Sequence, residues 1–130
     1  MNNPPSILLV DDDKFLLDMY SMKFVKDGFS VQVCLSVNDA VTALHGGFTP
    51  DAVVFDLTMP VRDGYDLLQT LRDEHLAESA KKVALTNQST DSEKAKAMEL
   101  GADLFIVKAT MIPSEVVANV RSLLGLPAVV

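Results

Sequence analysis

The sequence predicts an α/β protein: a parallel β-sheet with helices packed on both of its faces. Three observations lead there. Short continuous apolar runs, such as Ser6-Ile-Leu-Leu-Val10 and Ala52-Val-Val-Phe55, read as strands buried on both sides. Between them, apolar residues return every three to four positions, which is helical spacing. Strand and helix alternate five times without omission, and each right-handed crossover brings the next strand in alongside.

Residues 1–5 read as a loose tail ahead of Ser6–Val10, and that strand runs straight into Asp11-Asp12-Asp13. Leu16/Leu17, Tyr20 and Phe24 mark the first helix, which Asp27-Gly28 ends. Phe29 to Ser36 alternates apolar with polar, the pattern of a half-covered strand at a sheet edge. Cys34 shares the polar face with Ser30 and Gln32 there, so it is expected to be open to thiol reagents. Ser36 to His45 is helical with Val37, Val41 and Leu44 inward, and Gly46-Gly47 stops it. The Ala52–Phe55 strand ends at Asp56, and Pro60 and Gly64 break the chain before a helix over 64–75 that buries Leu67, Leu68 and Leu71. Lys82 to Thr86 is a fourth strand and Asp91 to Leu100 a helix stopped by Gly101. Ala102 to Val107 is a fifth strand ending at Lys108. Pro113 and Gly125 bracket the last helix, with Val116, Val117, Val120 and Leu124 facing the core.

With 130 residues, 48% of them apolar, the chain suffices for one domain over residues 1–130 and is too short for two. Its net charge of −7 opposes direct binding to nucleic acid or anionic lipid, which call for clustered Lys and Arg. No apolar run approaches the roughly 18 residues of a membrane span, and the N-terminus lacks the basic start of a signal peptide, so a cytoplasmic protein is expected. A single cysteine excludes an internal disulfide framework and a cysteine-based zinc site. His45 and His75, far apart on helix ends, read as solvated surface residues.

The residues that carry chemistry sit at one kind of place. The first strand delivers Asp11 and Asp12, the third Asp56, the fourth Thr86 and the fifth Lys108. In a parallel sheet these ends share one edge, where open α/β sheets bind their ligands. Alone, Asp56 could merely begin a turn; the other strand ends argue otherwise. Carboxylates pushed together repel by about 4 kcal/mol per pair at 4 Å and an effective dielectric near 20. Protonation or a divalent cation must relieve this, and an oxygen-only set with room for water and phosphate suits Mg²⁺ better than zinc. Thr86 and Lys108 can then contact a phosphoryl group, with Asp56 as the nucleophile that accepts it.

Val10-Asp11-Asp12, Val53-Val54-Phe55-Asp56 followed by Met59-Pro60 and Asp63-Gly64, Leu85-Thr86, and Val107-Lys108 together resemble the receiver domain of two-component response regulators. The resemblance covers residues 6 to about 124. It implies the flavodoxin-like strand order 2-1-3-4-5, which also puts the alternating second strand at an edge. It implies that Asp56 accepts phosphate from a sensor histidine kinase or a histidine phosphotransfer protein. Asp11, Asp12 and Asp56 would hold Mg²⁺ with the Thr58 backbone carbonyl, and Thr86 and Lys108 would bind the phosphoryl oxygens. Asp13 fits better as a cap for the first helix. Phe105 takes the place of the family's switch aromatic, with a plain core residue as the other reading. The readout face, roughly residues 90–124, would engage a downstream effector or output domain that the sequence leaves open. The chain would act as a phosphoryl acceptor that can shed its own phosphate, not as a turnover enzyme.

Two positions depart from the family pattern. Ala109 stands where proline is usual after the lysine, and a cis bond before alanine costs about 2.5–4 kcal/mol. A trans Lys108–Ala109 bond and an altered loop into the last helix are therefore expected. Asn87 is larger than the residue the family prefers there, and Thr58 and Gln88 occupy positions that tune attack by water. Ala109 and Asn87 keep open a degenerate receiver that binds a partner without phosphorylation. A haloacid-dehalogenase-like phosphatase with Asp11 as nucleophile is a third reading, but Phe15 stands where that motif wants Thr or Val.

Overall fold

The computed structural model describes residues 3–87 and 90–127. In chain order the elements are β1 (Ser6–Val10), α1 (Lys14–Lys26), β2 (Ser30–Cys34), α2 (Val37–His45), β3 (Ala52–Phe55) and α3 (Gly64–Asp73). They continue with β4 (Lys81–Thr86), α4 (Asp91–Glu99), β5 (Leu104–Val107), a 3₁₀ turn (Lys108–Thr110) and α5 (Pro113–Leu123). The strands form one parallel sheet in the order β2-β1-β3-β4-β5. This is the flavodoxin-like arrangement.

β1, β3 and β4 bury both faces where the sequence is continuously apolar, whereas β5, at the sheet edge, is only partly covered. Ile7 and Leu9 of β1 join Leu17, Tyr20 and Phe24 of α1 and Val116, Val117 and Val120 of α5 on one side. Leu8 and Val10 face the other side with Leu67, Leu68 and Leu71 of α3, Val37 and Ala40 of α2, and Ala97 of α4. Burying a side chain such as Phe24 or Leu67, both fully enclosed, contributes about 1.5–3 kcal/mol. Side-chain caps start the helices on time: Asp13 accepts from the Leu16 N–H, Ser36 from Asp39, Asp63 from Asp66 and Thr90 from Glu93. Asp13 is thus the helix cap the sequence suggested. Of the expected N-terminal tail, Pro5 lends its carbonyl to the Ser30 N–H at 2.8 Å, while residues 1 and 2 lie outside the described residues.

One expectation is overturned. Cys34 does lie on the same face of β2 as Ser30 and Gln32, yet it is only 5% exposed. The first turn of α2 folds over that end of the strand, and Cys34 packs in one cluster with Val37 and Ala40. Burial pushes its thiol pKa up to about 11, with the Asp39 charge adding to the effect. Meanwhile Val33, on the opposite face, is 41% exposed. The alternation reports faces, but helix cover divides this edge strand along its length.

The register aligns the strand ends that matter. Val10 pairs with Phe55, so Asp11 and Asp56 emerge side by side, and the Asp56 N–H donates to the Val10 carbonyl at 3.0 Å. β4 runs two residues further: Ala84 pairs with Phe55, and Thr86 pairs with Val107. Strand order reverses between β1 and β3, which leaves a crevice at their carboxyl ends.

Candidate phosphoacceptor and cation site

Asp11 is the first residue past β1 and is 6% exposed. Its Oδ1 accepts the Asp13 N–H at 2.9 Å, which turns the chain into α1. Asp56, 7% exposed, occupies the same position past β3, and its Oδ1 accepts the Thr58 N–H at 3.1 Å. Those bonds leave the two Oδ2 atoms facing Lys108, whose Nζ lies 2.8 Å from Asp11 and 3.2 Å from Asp56. Asp12, exposed, completes the set: one carboxylate oxygen each from Asp11, Asp12 and Asp56 lies within 4.8 Å of the others. Around them opens a depression of about 270 Å³, bordered by Asp11, Asp12, Asp13, Leu16, Asp56, Thr58, Asn87 and Lys108.

Three carboxylates against one ammonium leave the notch short of positive charge. Burial holds the Asp56 carboxyl above the usual range, opposed by the Thr58 N–H and by the Lys108 charge. Burial also works against the Lys108 ammonium, but its hydrogen bond to Asp11 and the Asp56 and Asp11 charges outweigh that and raise its pKa. Lys108 is therefore charged at neutral pH. An oxygen-only donor set on one open side, already in need of a cation, matches a hard dication that keeps several waters.

Asp11, Asp12, Asp56 and Lys108 converge as the sequence predicts, and Thr58 borders the same depression. Thr86 ends its strand as expected but is 1% exposed and does not border the depression. Phe105 is half-buried against the cluster under α2, α3 and α4. The Lys108–Ala109 bond is trans, since the described residues contain no cis peptide bond. The chain passes from β5 to α5 through the 3₁₀ turn, which the Thr110 hydroxyl closes by donating to the Val107 carbonyl at 2.8 Å. Lys108 reaches both carboxylates from it. Gln88 lies outside the described residues. His45 and His75 are exposed and pair with Glu74 at 2.7 Å and Glu78 at 3.1 Å, as surface residues do.

Two residues near the site were not singled out in the sequence. Tyr20 reads there as one more helical core position. It is buried below the notch, and its hydroxyl pKa is raised mainly by burial, with Lys108 lowering it and Asp11 raising it. Arg62 reads as a loop residue, although its spacing of four from Asp66 hints at the ion pair it forms at 2.9 Å.

A five-stranded parallel sheet in this order, with an acidic notch and a lysine at its reversal point, defines the class: a doubly wound α/β protein with its ionisable residues gathered at one sheet edge. The response regulator receiver domain model matches residues 7–121. The chain belongs to that family. Among solved structures it is similar to the receiver domain of the Francisella response regulator 1452, with 26% identity, a TM-score of 0.83, and coverage of 93% of this chain and 97% of that one. The BeF3-activated receiver domain of DrrB, a Thermotoga maritima protein, shares 26% identity at a TM-score of 0.81, covering 94% of this chain and 98% of that one. A CheY-like receiver domain protein from Methanospirillum hungatei is 22% identical with a TM-score of 0.85, covering 94% of each chain, and supports the fold.

Proposed function

We propose that this receiver takes a phosphoryl group on Asp56 and uses it to change the face formed by α4, β5 and α5. The observation that carries the reading is the convergence of Asp56 with Asp11, Asp12 and Lys108 at one open notch. Mg²⁺ held by Asp11, Asp12, Asp56 and the Thr58 carbonyl would neutralise charge between the acceptor and an incoming phosphoryl group. The donor is a phosphohistidine on a sensor histidine kinase or a histidine phosphotransfer protein. A carboxylate oxygen of Asp56 attacks phosphorus, the P–N bond breaks, and its electron pair returns to the imidazole, which takes up a proton. An acyl phosphate results. Lys108 exchanges its bond to Asp56 for one to a phosphoryl oxygen, and Thr86 moves up to donate to another.

Phosphate adds roughly two negative charges and several acceptor oxygens, so it favours the conformer in which Thr86 and Lys108 reach it. Phe105 follows Thr86 inward and alters the surface over residues 90–124, where a downstream effector or output domain docks. Affinity for that partner changes only as far as it distinguishes the two conformers. The chain is an acceptor and shedder of phosphate, not a turnover enzyme, and acts in the cytoplasm. No helix among the described residues is long and apolar enough to cross a membrane.

Incubation with a small acyl-phosphate donor tests this reading. Wild type should gain one phosphoryl group with Mg²⁺ and none with EDTA, and Asp56→Asn should gain none. Wild type that stays unmodified with Mg²⁺ would leave the phosphorylation-independent binding module as the better reading.

A further inference from the structure

The loop from Asp56 to α3 contains a strained turn. Val61 has φ +69°, a left-handed conformation that a β-branched residue rarely adopts, and its side chain is 96% exposed, so its own packing gives nothing back. The Arg62 N–H donates to the Pro60 carbonyl at 2.8 Å, which closes a γ-turn of the rare, positive-φ kind. What holds it is the next side chain. Arg62 Nε and Nη2 donate to the two carboxylate oxygens of Asp66 at 2.9 and 3.3 Å, and Nη2 also reaches the Thr70 hydroxyl at 2.6 Å. Nη1 donates to Asn38 Oδ1 at 2.8 Å. The planar guanidinium thereby bridges α3 to the first turn of α2, a geometry that a lysine cannot copy.

The near end of the loop is already pinned. The Thr58 N–H is bonded to Asp56, and the Gly64 N–H donates to the Leu57 carbonyl at 3.1 Å. Between Thr58 and Asp63, Met59 is buried in the cluster under α2 and α3, and Arg62 supplies the polar ties to those helices. We propose that Arg62 is a positioning residue: its clamp on α2 and α3 holds the Val61 turn closed and so keeps Thr58 at the rim of the notch as a fourth oxygen donor for the cation. The inference rests on the Mg²⁺ reading of the notch given above. It also runs against simple charge logic, since removing a positive side chain near an acidic site should tighten cation binding.

Mg²⁺ titration of the full chain, followed by the amide signals of Asp12, Thr58 and Asn87, tests the proposal. Arg62→Ala should weaken Mg²⁺ binding by about five- to tenfold, as expected when a strained turn is released. Asn38→Ala, which cuts one tie and leaves the ion pair with Asp66, covers the case in which the larger change impairs folding, and should weaken binding by a smaller factor. Val61→Gly removes the strain, so the double variant Val61→Gly/Arg62→Ala should bind Mg²⁺ as wild type does. Unchanged or tighter binding in Arg62→Ala would overturn the clamp, as would failure of Val61→Gly to restore the loss. Absence of any Mg²⁺ shift in wild type would instead overturn the cation reading itself, and the clamp's role with it.

Discussion

Lys108 Nζ lies 3.2 Å from Asp56 Oδ2, across 52 positions of chain, and the two side chains are 7% and 8% exposed. The same ammonium reaches Asp11 at 2.8 Å. A buried cation shared between two carboxylates is better understood as a placeholder than as a stability device, because desolvation consumes much of the Coulomb gain. Its worth is that it keeps two acidic groups together and facing one opening.

Removal of that ammonium leaves Asp11 and Asp56 uncompensated. Lys108→Ala is expected to lower stability by about 3–5 kcal/mol in metal-free buffer, the cost of breaking a buried pair from one side. Urea unfolding measures it. Mg²⁺ should narrow the difference from wild type, since it supplies the charge the lysine gave. A deficit that Mg²⁺ leaves unchanged would show that the lost term is packing of the lysine stem.

Asp56→Asn should act in the opposite direction. Asparagine keeps one oxygen as an acceptor for the Thr58 N–H, loses the second acceptor that faces Lys108, and carries no buried charge. Asp56 has a folded pKa raised above its ordinary 3.8, chiefly by burial. Its contribution to stability is therefore present below 3.8 and lost as pH rises through the raised value. Without Mg²⁺ at pH 7 the variant is expected to unfold at higher urea than wild type, with the gap closing toward pH 4. A variant less stable at pH 7 would mean that attraction to Lys108 outweighs the burial penalty.

Much of this architecture is readable without coordinates because a polar residue that ends an unbroken apolar run has little choice of place. Asp11, Asp56, Thr86 and Lys108 all satisfy that condition, and the right-handed crossover does the rest. Register is not readable in the same way. Nothing in the residues says that β4 extends two positions past the residue paired with Phe55, or that Thr86 at its end is enclosed. Boundaries fail for local reasons. Ala102 looks like the start of β5, but its N–H donates to the Ala97 carbonyl at 3.0 Å and closes the turn after α4. Lys81 belongs to β4 although its charge hides it at the sheet's polar end. Arg62 escapes because its partners, apart from Asp66, come from other elements or from farther along α3.

Gly64 is required by proximity, not by backbone angle. A Cβ added there would meet the Asp56 carbonyl oxygen, with Leu57 Cα at 2.8 Å and the Phe55 ring at 2.9 Å. Alanine in a helix gains about 1 kcal/mol over glycine, but two of those three neighbours are backbone and cannot swing away. Overpacking of this kind costs about 1–3 kcal/mol or more, so Gly64→Ala is expected to be destabilised in urea. Because the strand end carrying Asp56 must shift to admit the methyl, it should also accept phosphate more slowly from an acyl-phosphate donor. Wild-type rates in that variant would show that the Asp56 carbonyl can move without moving its side chain.

Cys34 offers a check on the cover that α2 gives to β2. Its thiol is buried and its pKa is about 11 against an ordinary 9.0, so very little thiolate exists at pH 7.5 and less of it is reachable. A disulfide reagent should therefore label the native protein far more slowly than the urea-unfolded chain at that pH. The raised pKa adds stability that is fully present below 9.0 and lost as pH rises through about 11. Cys34→Ser, which lacks that ionisation, should lose less stability than wild type over the same alkaline interval. Asp39→Asn removes the second cause and should lower the thiol pKa slightly while leaving it above 9.0, because burial dominates. Labelling of native Cys34 at the unfolded rate would mean that the first turn of α2 opens freely.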